Sequence, residues 1–383
     1  MVDRRPIVDL TDEQARRALP LKWGTVPDDV IPAWVAETDY AVDPVVMEAL
    51  QRALADGVTG YPLERYPELA EAYAGWSARH FGWAPDAEAV RPVVDVTAGV
   101  RLAIDVLSGP GGVVFPTPGY NAQHGLAGIT GRTELLLEVP ASGERAEIDL
   151  DRLDALLGGG AQTLILTQPH NPWGRVFTRP ELEGIRDVVV RHGARVVSDE
   201  IHAPLVLPGA EHTSYLAIDG THDHAVAVVS ASKAFNTPGL KCAQLVVPSA
   251  ADRARLDEQP MSRNDSYAAL GVVASHAAYD RGDPWLASLI ERLDQQRSLL
   301  GSLLAEHLPE VRMRPLEATY LAWLDASAYG HDDAAAVALE RGRVQLSKGA
   351  SYAPGSTGHV RLNFATSPER LTKIVERLAK AWT

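Results

Sequence analysis

Seven short apolar runs, separated by longer helical or loop segments, constrain the fold of this chain more than any other feature. They cover residues 93–96, 113–115, 133–139, 163–167, 195–198, 225–229 and 243–247. Continuous apolar runs of this length are typical of strands buried on both faces, and the long connections leave room for crossover helices. The sequence therefore predicts an α/β fold with a largely parallel seven-stranded sheet covered by helices on both faces.

The pattern differs on either side of this region. Residues 1–45 are interrupted by prolines and predict an extended N-terminal arm that also joins a smaller domain. Residues 46–283 hold the seven runs and predict the large domain. From Pro284 to about His307 the apolar residues recur with helical spacing, and the segments after them predict a smaller α+β domain over residues 284–383.

Charge and cysteine content exclude several classes of function. Acidic residues outnumber basic ones by 50 to 36, and the net charge of −14 argues against nucleic acid or an anionic membrane as a partner. Cys242 is the only cysteine, so neither an intrachain disulfide nor a cysteine-built metal site can form. Residues 1–10 do not resemble a signal peptide, and no apolar stretch reaches the length of a membrane span. We expect a soluble, cytoplasmic protein.

Lys233 is the first candidate for a chemical role. It lies just past the run 225–229, where open α/β sheets place their ligands, and follows Ser230 and Ser232. An ammonium group that leaves a buried strand must be paired or must lose its proton. Taken alone, the segment favours an ordinary surface lysine. A Schiff-base lysine flanked by phosphate-binding hydroxyls is the functional alternative, and residues upstream support it.

Asp199 ends the run 195–198 and is followed by Glu200 and His202. A carboxylate at that depth is costly unless it meets a cation, and a protonated pyridine nitrogen is such a partner. A metal site built from these three residues is the alternative. Consecutive residues at a strand end point in different directions, however, and no second cluster has ligand spacing, so no metal site is predicted.

Three further strand ends carry weaker signals. Residues 96–101 lead from a predicted strand into a helix, where backbone N–H groups and Gly99 could bind a phosphate. Tyr120 follows the run 113–115 and could stack on a planar ring. Asn171 lies between two prolines and could offer a fixed amide to a ligand. For each of them a purely structural turn is the alternative.

The ordered set of phosphate turn, aromatic ring, amide, buried acid and lysine resembles the fold-type I pyridoxal-phosphate enzymes of the class I/II aminotransferase superfamily. The resemblance spans nearly the whole chain and is closest to the C–S lyases of the MalY/PatB type, the cystathionine β-lyases. The matching segments are 34–40 (WVAETDY), 60–61 (GY), 117–120 (TPGY), 170–174 (HNPWG), 198–202 (SDEIH), 230–233 (SASK) and 360–364 (VRLNF).

The resemblance implies a role for each residue around the cofactor, pyridoxal 5′-phosphate. Lys233 would hold the cofactor covalently and act as the general base, while Asp199 would bind the pyridine nitrogen. Tyr120 would stack on the ring and take part in catalysis. Asn171 would donate a hydrogen bond to the ring oxygen, with His202 nearby.

The resemblance also implies phosphate and substrate contacts. The implied phosphate contacts are Val100, Arg101, Ser230, Ser232, Lys241 and Tyr61. Lys241 stands where relatives often carry arginine, and Tyr61 would reach in from the other subunit of a homodimer with shared active sites. The implied substrate contacts are Arg361, Asp39 and Tyr40. Relatives usually carry Asp at the position of Glu37, a departure that bears on substrate preference.

The predicted activity is therefore cleavage of the C–S bond in cystathionine or cysteine-type amino acids, with release of a thiol, pyruvate and ammonia. An aminotransferase would use the same residues but would need a 2-oxo acid for turnover. A non-catalytic regulator on the same scaffold is the third possibility. The complete set of residues from Tyr61 to Arg361 disfavours it, because binding alone does not require the lysine.

Overall fold

The computed structural model describes residues 4–139, 145–264 and 266–383. The β-strands of these residues are β1 (Ile31–Pro32), β2 (Val90–Val93), β3 (Gly112–Thr117), β4 (Glu134–Glu138), β5 (Ala161–Thr167), β6 (Arg195–Asp199), β7 (Ala225–Val229), β8 (Ala243–Val246), β9 (Arg312–Met313), β10 (Leu321–Asp325), β11 (Val344–Gln345), β12 (Ser347–Lys348) and β13 (His359–Asn363).

The α-helices alternate with these strands. They are α1 (Asp12–Ala18), α2 (Pro44–Ala55), α3 (Pro67–Phe81), α4 (Val96–Leu102), α5 (Leu126–Ile129), α6 (Leu150–Gly158), α7 (Arg179–Arg191), α8 (Ala250–Asp257), α9 (Ala269–Arg281), α10 (Asp283–His307), α11 (Ala334–Glu340) and α12 (Pro368–Trp382). Among the described residues, none of the helices combines the length and the apolar character that crossing a membrane requires.

A seven-stranded sheet in the order β2-β8-β7-β6-β5-β3-β4 forms the centre of the molecule. The strands from β7 to β4 are parallel to their neighbours, and β8 alone runs antiparallel to both β7 and β2. Residues of β7 are buried throughout, as expected of an apolar run covered on both faces. The predicted α/β fold with a mostly parallel seven-stranded sheet is confirmed.

The first strand of this sheet lies a few residues earlier than the sequence suggests. The predicted run 93–96 is split, because β2 ends at Val93 and α4 begins at Val96. Asp95 causes the change of direction: its side chain accepts a hydrogen bond from the Ala98 backbone N–H at 2.8 Å and caps the helix. α4 then continues as a π-helical turn over Ala103–Leu107.

A smaller four-stranded sheet in the order β12-β13-β10-β9 is built from the C-terminal part of the chain. The N-terminal arm joins the C-terminal part of the chain in a separate two-stranded sheet, in which β1 pairs in parallel with β11 and Ile31 is aligned with Val344. The arm is not wholly extended as predicted. Thr11 and Gln14 form a capping box that starts α1 within it.

The long helix α10 contacts segments that follow a strand of each sheet. Near its start Trp285 stacks on Phe235, with ring centroids 5.4 Å apart, and further along Gln296 donates a hydrogen bond to the Thr366 carbonyl at 2.7 Å. The helix therefore ties the turn after β7 to the segment after β13. The division of the chain at residues 45/46 and 283/284 stays a prediction.

Candidate active site

Polar side chains from separate strand ends meet at one edge of the large sheet. β3, β5, β6 and β7 are parallel, so their carboxyl ends lie at the same edge. A cavity of about 170 Å³, here called the sheet-edge cavity, opens there. Eight of the predicted site residues line it: Tyr120, Asn171, Asp199, His202, Ser230, Ser232, Lys233 and Lys241.

Asp199 is the last residue of β6 and is 1% exposed. Its Oδ2 accepts a hydrogen bond from Gln123 Nε2 at 2.6 Å, and its Oδ1 accepts one from the Ile201 backbone N–H at 3.1 Å. Both donors are uncharged. Burial raises the pKa of the Asp199 carboxyl to about 6, so a cation bound beside it would stabilise the ionised form.

Lys233 lies in the turn that follows β7. Its Nζ donates a hydrogen bond to the Ala36 carbonyl at 2.9 Å, and the Tyr320 hydroxyl donates to the same carbonyl at 2.9 Å. Burial lowers the pKa of the Lys233 amine to about 8, and the nearby charge of Glu37 opposes that shift. A lysine in this state is partly neutral near pH 7 and can act as a nucleophile or a base.

Asn171 and Arg361 join the two sheets at the cavity. Arg361, on β13, is 4% exposed, and its Nη1 donates a hydrogen bond to Asn171 Oδ1 at 3.1 Å. Its Nη2 donates to the Trp34 carbonyl at 2.8 Å, and the guanidinium lies 4.9 Å from the centre of the Tyr352 ring. These contacts hold a planar cation in a fixed orientation beside the cavity.

Two histidines near the cavity are neutral. His202 lines the cavity, and His170 is buried beside Asn171 in the chain. Burial lowers the pKa of each imidazole to about 3. Neither Nδ1 atom has a hydrogen-bond partner among the described residues.

Hydroxyl groups and one ammonium group line another part of the cavity. Ser230 Oγ lies 3.0 Å from Ser232 Oγ, and Lys241 Nζ forms an ion pair with Asp95 Oδ2 at 2.8 Å. Thr97, at the start of α4, also lines this part of the cavity. Hydroxyl, ammonium and backbone N–H groups are the donors that bind phosphate oxygens.

Val100 and Arg101 do not line the cavity, contrary to the expectation for the phosphate contacts. Because α4 starts at Val96, Val100 lies one turn into the helix and is fully buried in the core, while the Arg101 side chain is exposed. Gly99 serves packing rather than a ligand, since an added Cβ would lie 2.7 Å from Val228 Cγ1. Val96 and Thr97 line the cavity at the start of α4, where Val100 and Arg101 were expected.

Asp39 and Tyr40 likewise do not line the sheet-edge cavity, and their expected role as substrate contacts stays a prediction that this geometry does not favour. Asp39 is 1% exposed and forms an ion pair with Lys22 Nζ at 2.8 Å. The Tyr40 hydroxyl donates a hydrogen bond to the Thr366 carbonyl at 2.9 Å. Their neighbours Ala36 and Glu37 are the arm residues that lie near Lys233.

Tyr61 lies on the surface, with its side chain fully exposed, and does not line the sheet-edge cavity of its own chain. Gln123 and Tyr320, which do contact the site, were missed by sequence reasoning. Gln123 follows Tyr120 in a short turn with no motif around it, and Tyr320 stands in an apolar segment that predicts a core residue. Among the described residues no group of three or more His, Cys, Asp and Glu side chains could hold a metal ion.

The profile of the family described as aminotransferase class I and II matches residues 33–378, which include the lysine, the buried acid and the arginine of the site. The chain belongs to this family. Enzymes of this family depend on pyridoxal 5′-phosphate, so membership of the family confirms the predicted cofactor.

Relatives narrow the family to one branch. A protein of Mycobacterium tuberculosis (strain H37Rv) is 39% identical over 98% of both chains. The cystathionine β-lyase PatB of Bacillus subtilis (strain 168) is 33% identical over 92% of both chains. The crystal structure of cystalysin from Treponema denticola, which contains pyridoxal 5′-phosphate, matches with a TM-score of 0.91 and 26% identity over 98% of both chains. The resemblance to the MalY/PatB-type lyases is confirmed.

The residues of this aminotransferase-family site fit the cofactor. The buried Asp199 has only uncharged hydrogen-bond donors and matches a protonated ring nitrogen. Lys233 has the lowered pKa that covalent attachment to an aldehyde requires. The hydroxyls of Ser230 and Ser232, with Lys241, match the phosphate.

Proposed function

We propose that the protein is a pyridoxal-phosphate-dependent C–S β-lyase that acts on cystathionine or cysteine-type amino acids and releases a thiol, pyruvate and ammonia. The observation that carries this proposal is the meeting of the Lys233 amine, whose pKa is lowered, and the buried Asp199 carboxylate in one cavity. The relative from Bacillus subtilis, which is named for this activity and matches over 92% of both chains, supports the choice of reaction.

The bound cofactor supplies an electron sink, because its ring accepts the electron pair that remains when the substrate Cα loses its proton. Asp199 would keep a proton on the ring nitrogen, since burial disfavours its lone negative charge and a cation beside it offsets that cost. Lys233, as a neutral amine, takes the proton from the substrate Cα. The electron pair at Cα would then form a Cα–Cβ double bond as the thiolate leaves Cβ, and hydrolysis of the released unsaturated amine gives pyruvate and ammonia.

Arg361 and Asn171 orient the substrate and the ring. The Trp34 carbonyl and Asn171 Oδ1 hold the Arg361 guanidinium, and its buried Nε has no hydrogen-bond partner among the described residues. This cation binds the α-carboxylate of the amino acid. The Asn171 amide would donate to the ring oxygen, and Tyr120, which also lines the cavity, would stack on the ring.

Ser230, Ser232 and Lys241 bind the phosphate, together with backbone N–H groups at the start of α4 near Thr97. Lys241 keeps the positive charge of the arginine that relatives often carry and lacks its bidentate geometry. The Lys241 ammonium also forms an ion pair with Asp95 at 2.8 Å.

A homodimer with shared active sites is part of the proposal. The side chain of Tyr61 is fully exposed, and Leu63 and Met261 near it are 64% and 69% exposed, a surface typical of residues that a second subunit covers. Tyr61 of each chain binds the phosphate in the partner's cavity. We place the protein in the cytoplasm. Thiols stay reduced in that compartment, and Cys242 is a free, buried thiol.

An aminotransferase is the alternative, since the matching family profile covers aminotransferases and the same lysine and acid would serve both reactions. The third possibility, a non-catalytic regulator, would not need the lowered pKa of Lys233. The aminotransferase needs a 2-oxo acid for turnover and the lyase does not, so this requirement distinguishes the two enzymes.

The test is to incubate the pure protein, saturated with pyridoxal phosphate, with cystathionine and to measure thiol and pyruvate without any added 2-oxo acid. The proposal predicts equal amounts of thiol and pyruvate at a steady rate. Turnover that starts only after a 2-oxo acid is added, with formation of a new amino acid, would establish the aminotransferase instead. Absence of turnover under both conditions would favour the regulator.

A further inference from the structure

Glu37 is a charged side chain of the N-terminal arm to which the proposed function gives no role. Its neighbour Ala36 lines the sheet-edge cavity, and the Ala36 carbonyl accepts the hydrogen bond from Lys233 Nζ at 2.9 Å. Burial lowers the pKa of the Lys233 amine, and among the charges around it that of Glu37 opposes this shift most strongly. Through this carboxylate the arm acts on the charge of Lys233.

Contacts of the backbone fix the place of the carboxylate. The Glu37 carbonyl accepts a hydrogen bond from Asn363 Nδ2 at 2.7 Å and another from Lys22 Nζ at 2.9 Å. The next residue, Thr38, donates through its backbone N–H to Asn236 Oδ1 at 3.0 Å. The segment that carries Glu37 is thus tied to β13 and to the turn after β7, and it holds the side chain in one place.

The carboxylate itself lacks a close partner. Its Oε2 is buried and has no hydrogen-bond partner among the described residues. Burial raises the pKa of the Glu37 carboxyl, and the charges of Lys233 and Lys22 oppose that rise. Lys22 already forms an ion pair with Asp39 at 2.8 Å. Of these two cations it is therefore Lys233 whose charge Glu37 can balance.

Other polar groups also surround Lys233, and each of them has another role or carries no charge. They are two carboxylates, a guanidinium, an imidazole and a hydroxyl: Asp95, Asp199, Arg361, His202 and Tyr320. Asp95 forms the ion pair described above, Asp199 is assigned to the ring nitrogen, and His202 is neutral. Glu37 remains as the carboxylate that can stabilise a positive charge on Lys233.

We propose that Glu37 is a positioning residue for Lys233: its carboxylate stabilises the ammonium form of Lys233 at the Ala36 carbonyl and so makes the lysine a stronger base. When the neutral amine takes the proton from the substrate Cα it becomes an ammonium, and Glu37 stays ionised throughout. An ammonium has three N–H donors and a full charge, so it costs less in a buried site when a fixed carboxylate lies nearby.

The experiment measures the pH at which the apoprotein takes up pyridoxal phosphate, and it uses no amino-acid substrate. The rate at which visible absorbance appears is recorded from about pH 7 to about pH 10, above the pKa of about 6 of Asp199. Glu37→Gln keeps the shape of the side chain and removes the charge, so the amine becomes neutral at a lower pH. The midpoint of the profile should fall by about 0.5 pH unit or more.

Two variants are matched controls. Glu37→Asp keeps the carboxylate on a shorter side chain, and its midpoint should lie closer to that of the unchanged protein than to that of Glu37→Gln. Glu306→Gln makes the same change in net charge at a side chain that is 72% exposed and lies outside the cavity, and its midpoint should not move.

Circular dichroism verifies that each variant folds. If Glu37→Gln does not, Glu37→Ala, which removes the charge without burying an amide, takes its place with the same expectation. Loss of folding in both would make Glu37 a structural residue and overturn the proposal.

The role of Glu37 rests on the proposed attachment of the cofactor to Lys233, and Lys233→Ala separates the two claims. Full visible absorbance in that variant overturns the attachment and, with it, the role of Glu37. If Lys233→Ala loses the absorbance while Glu37→Gln keeps the midpoint of the unchanged protein, the role of Glu37 alone is wrong, even if uptake is slower. A midpoint that Glu37→Asp lowers as much as Glu37→Gln does would also contradict it, because the charge would not be the cause.

Discussion

Lys233 and Asp199 line the same cavity, and burial acts on them in opposite directions. It lowers the pKa of the amine to about 8 and raises the pKa of the carboxyl to about 6. Both shifts disfavour charge, and a cofactor with an aldehyde and a protonated ring nitrogen uses both, because the amine reacts in its neutral form and the carboxylate gains a cation. Strongly shifted groups gathered in one cleft are typical of active sites.

Asp199→Asn should separate the electrostatic role of this residue from its structural role. The amide oxygen can still accept from the Ile201 backbone N–H, and only the acceptor for Gln123 Nε2 is lost, so the variant should fold and retain some cofactor. It cannot hold the ring proton, and the lyase rate should fall about a hundredfold or more. The rate of pyruvate release is the measurement. A rate within a factor of two of the unchanged protein would make Asp199 a structural residue only.

The lowered pKa of Lys233 predicts the pH dependence of cofactor uptake. Only the neutral amine attacks the aldehyde, and the amine becomes neutral as the pH rises through about 8. The rate at which the apoprotein gains the visible absorbance of the bound cofactor should therefore rise with pH around that value. A rate that stays flat up to about pH 10, where an ordinary lysine titrates, would show that burial does not act on this amine.

At the scale of elements, strand ends were the informative part of the sequence. Tyr120, Asn171, Asp199 and Lys233 were expected at the sheet edge because each follows an apolar run, and all four line the cavity. The start of α4 was not predicted correctly, since Val96 continues an apolar run while the preceding aspartate caps a helix there. The apolar run favours a strand at Val96, whereas the capping side chain favours a helix, and the backbone there is helical.

Gly99→Ala should test how closely α4 must approach the sheet. The added Cβ would lie 2.7 Å from Val228 Cγ1 and 3.1 Å from Val93 Cγ2, so the helix must shift, and with it the residues at its start that line the cavity. We expect a loss of about 1–3 kcal/mol in the free energy of unfolding and weaker cofactor binding. Urea denaturation measures the first quantity and cofactor titration the second.

The matched control for that change is Gly128→Ala, in the helix α5, where an added Cβ meets no atom within 4 Å. That substitution should leave the free energy of unfolding unchanged or raise it slightly, since alanine favours helix. If Gly99→Ala proves as stable as the control and binds the cofactor equally well, close approach of α4 is not required.

At the scale of the whole molecule, the contacts that bring distant segments together were beyond the reach of sequence reasoning. The arm reaches the site because Asn236 Nδ2 donates a hydrogen bond to the Thr38 carbonyl at 2.9 Å, 198 residues away in the chain. Other contacts hold Asp39 against Lys22 and the Tyr40 hydroxyl against the Thr366 carbonyl, and neither residue lines the cavity, where the family motif alone suggests them. Motifs identify residues that matter, but long-range packing decides which side of the chain they face.

The shared active site is the prediction at this scale. Tyr61→Phe and Lys233→Ala chains should each be weakly active or inactive as homodimers. After subunit exchange, a heterodimer has one site with both changes and one site with neither, so activity should rise above that of either parent. Light scattering and lyase assays on the mixture are the measurements. Heterodimers that form without any gain would contradict the shared active site, even if the protein is a dimer.

The most direct measurement of the central claim is to locate the bound cofactor in the sequence. The protein saturated with pyridoxal phosphate is reduced with borohydride, digested and analysed by peptide mass spectrometry. The cofactor is expected on the peptide that contains Lys233 and on no other peptide in equal yield, and Lys233→Ala should lose both the label and the visible absorbance. A cofactor trapped on a different lysine, or full absorbance in Lys233→Ala, would contradict the account.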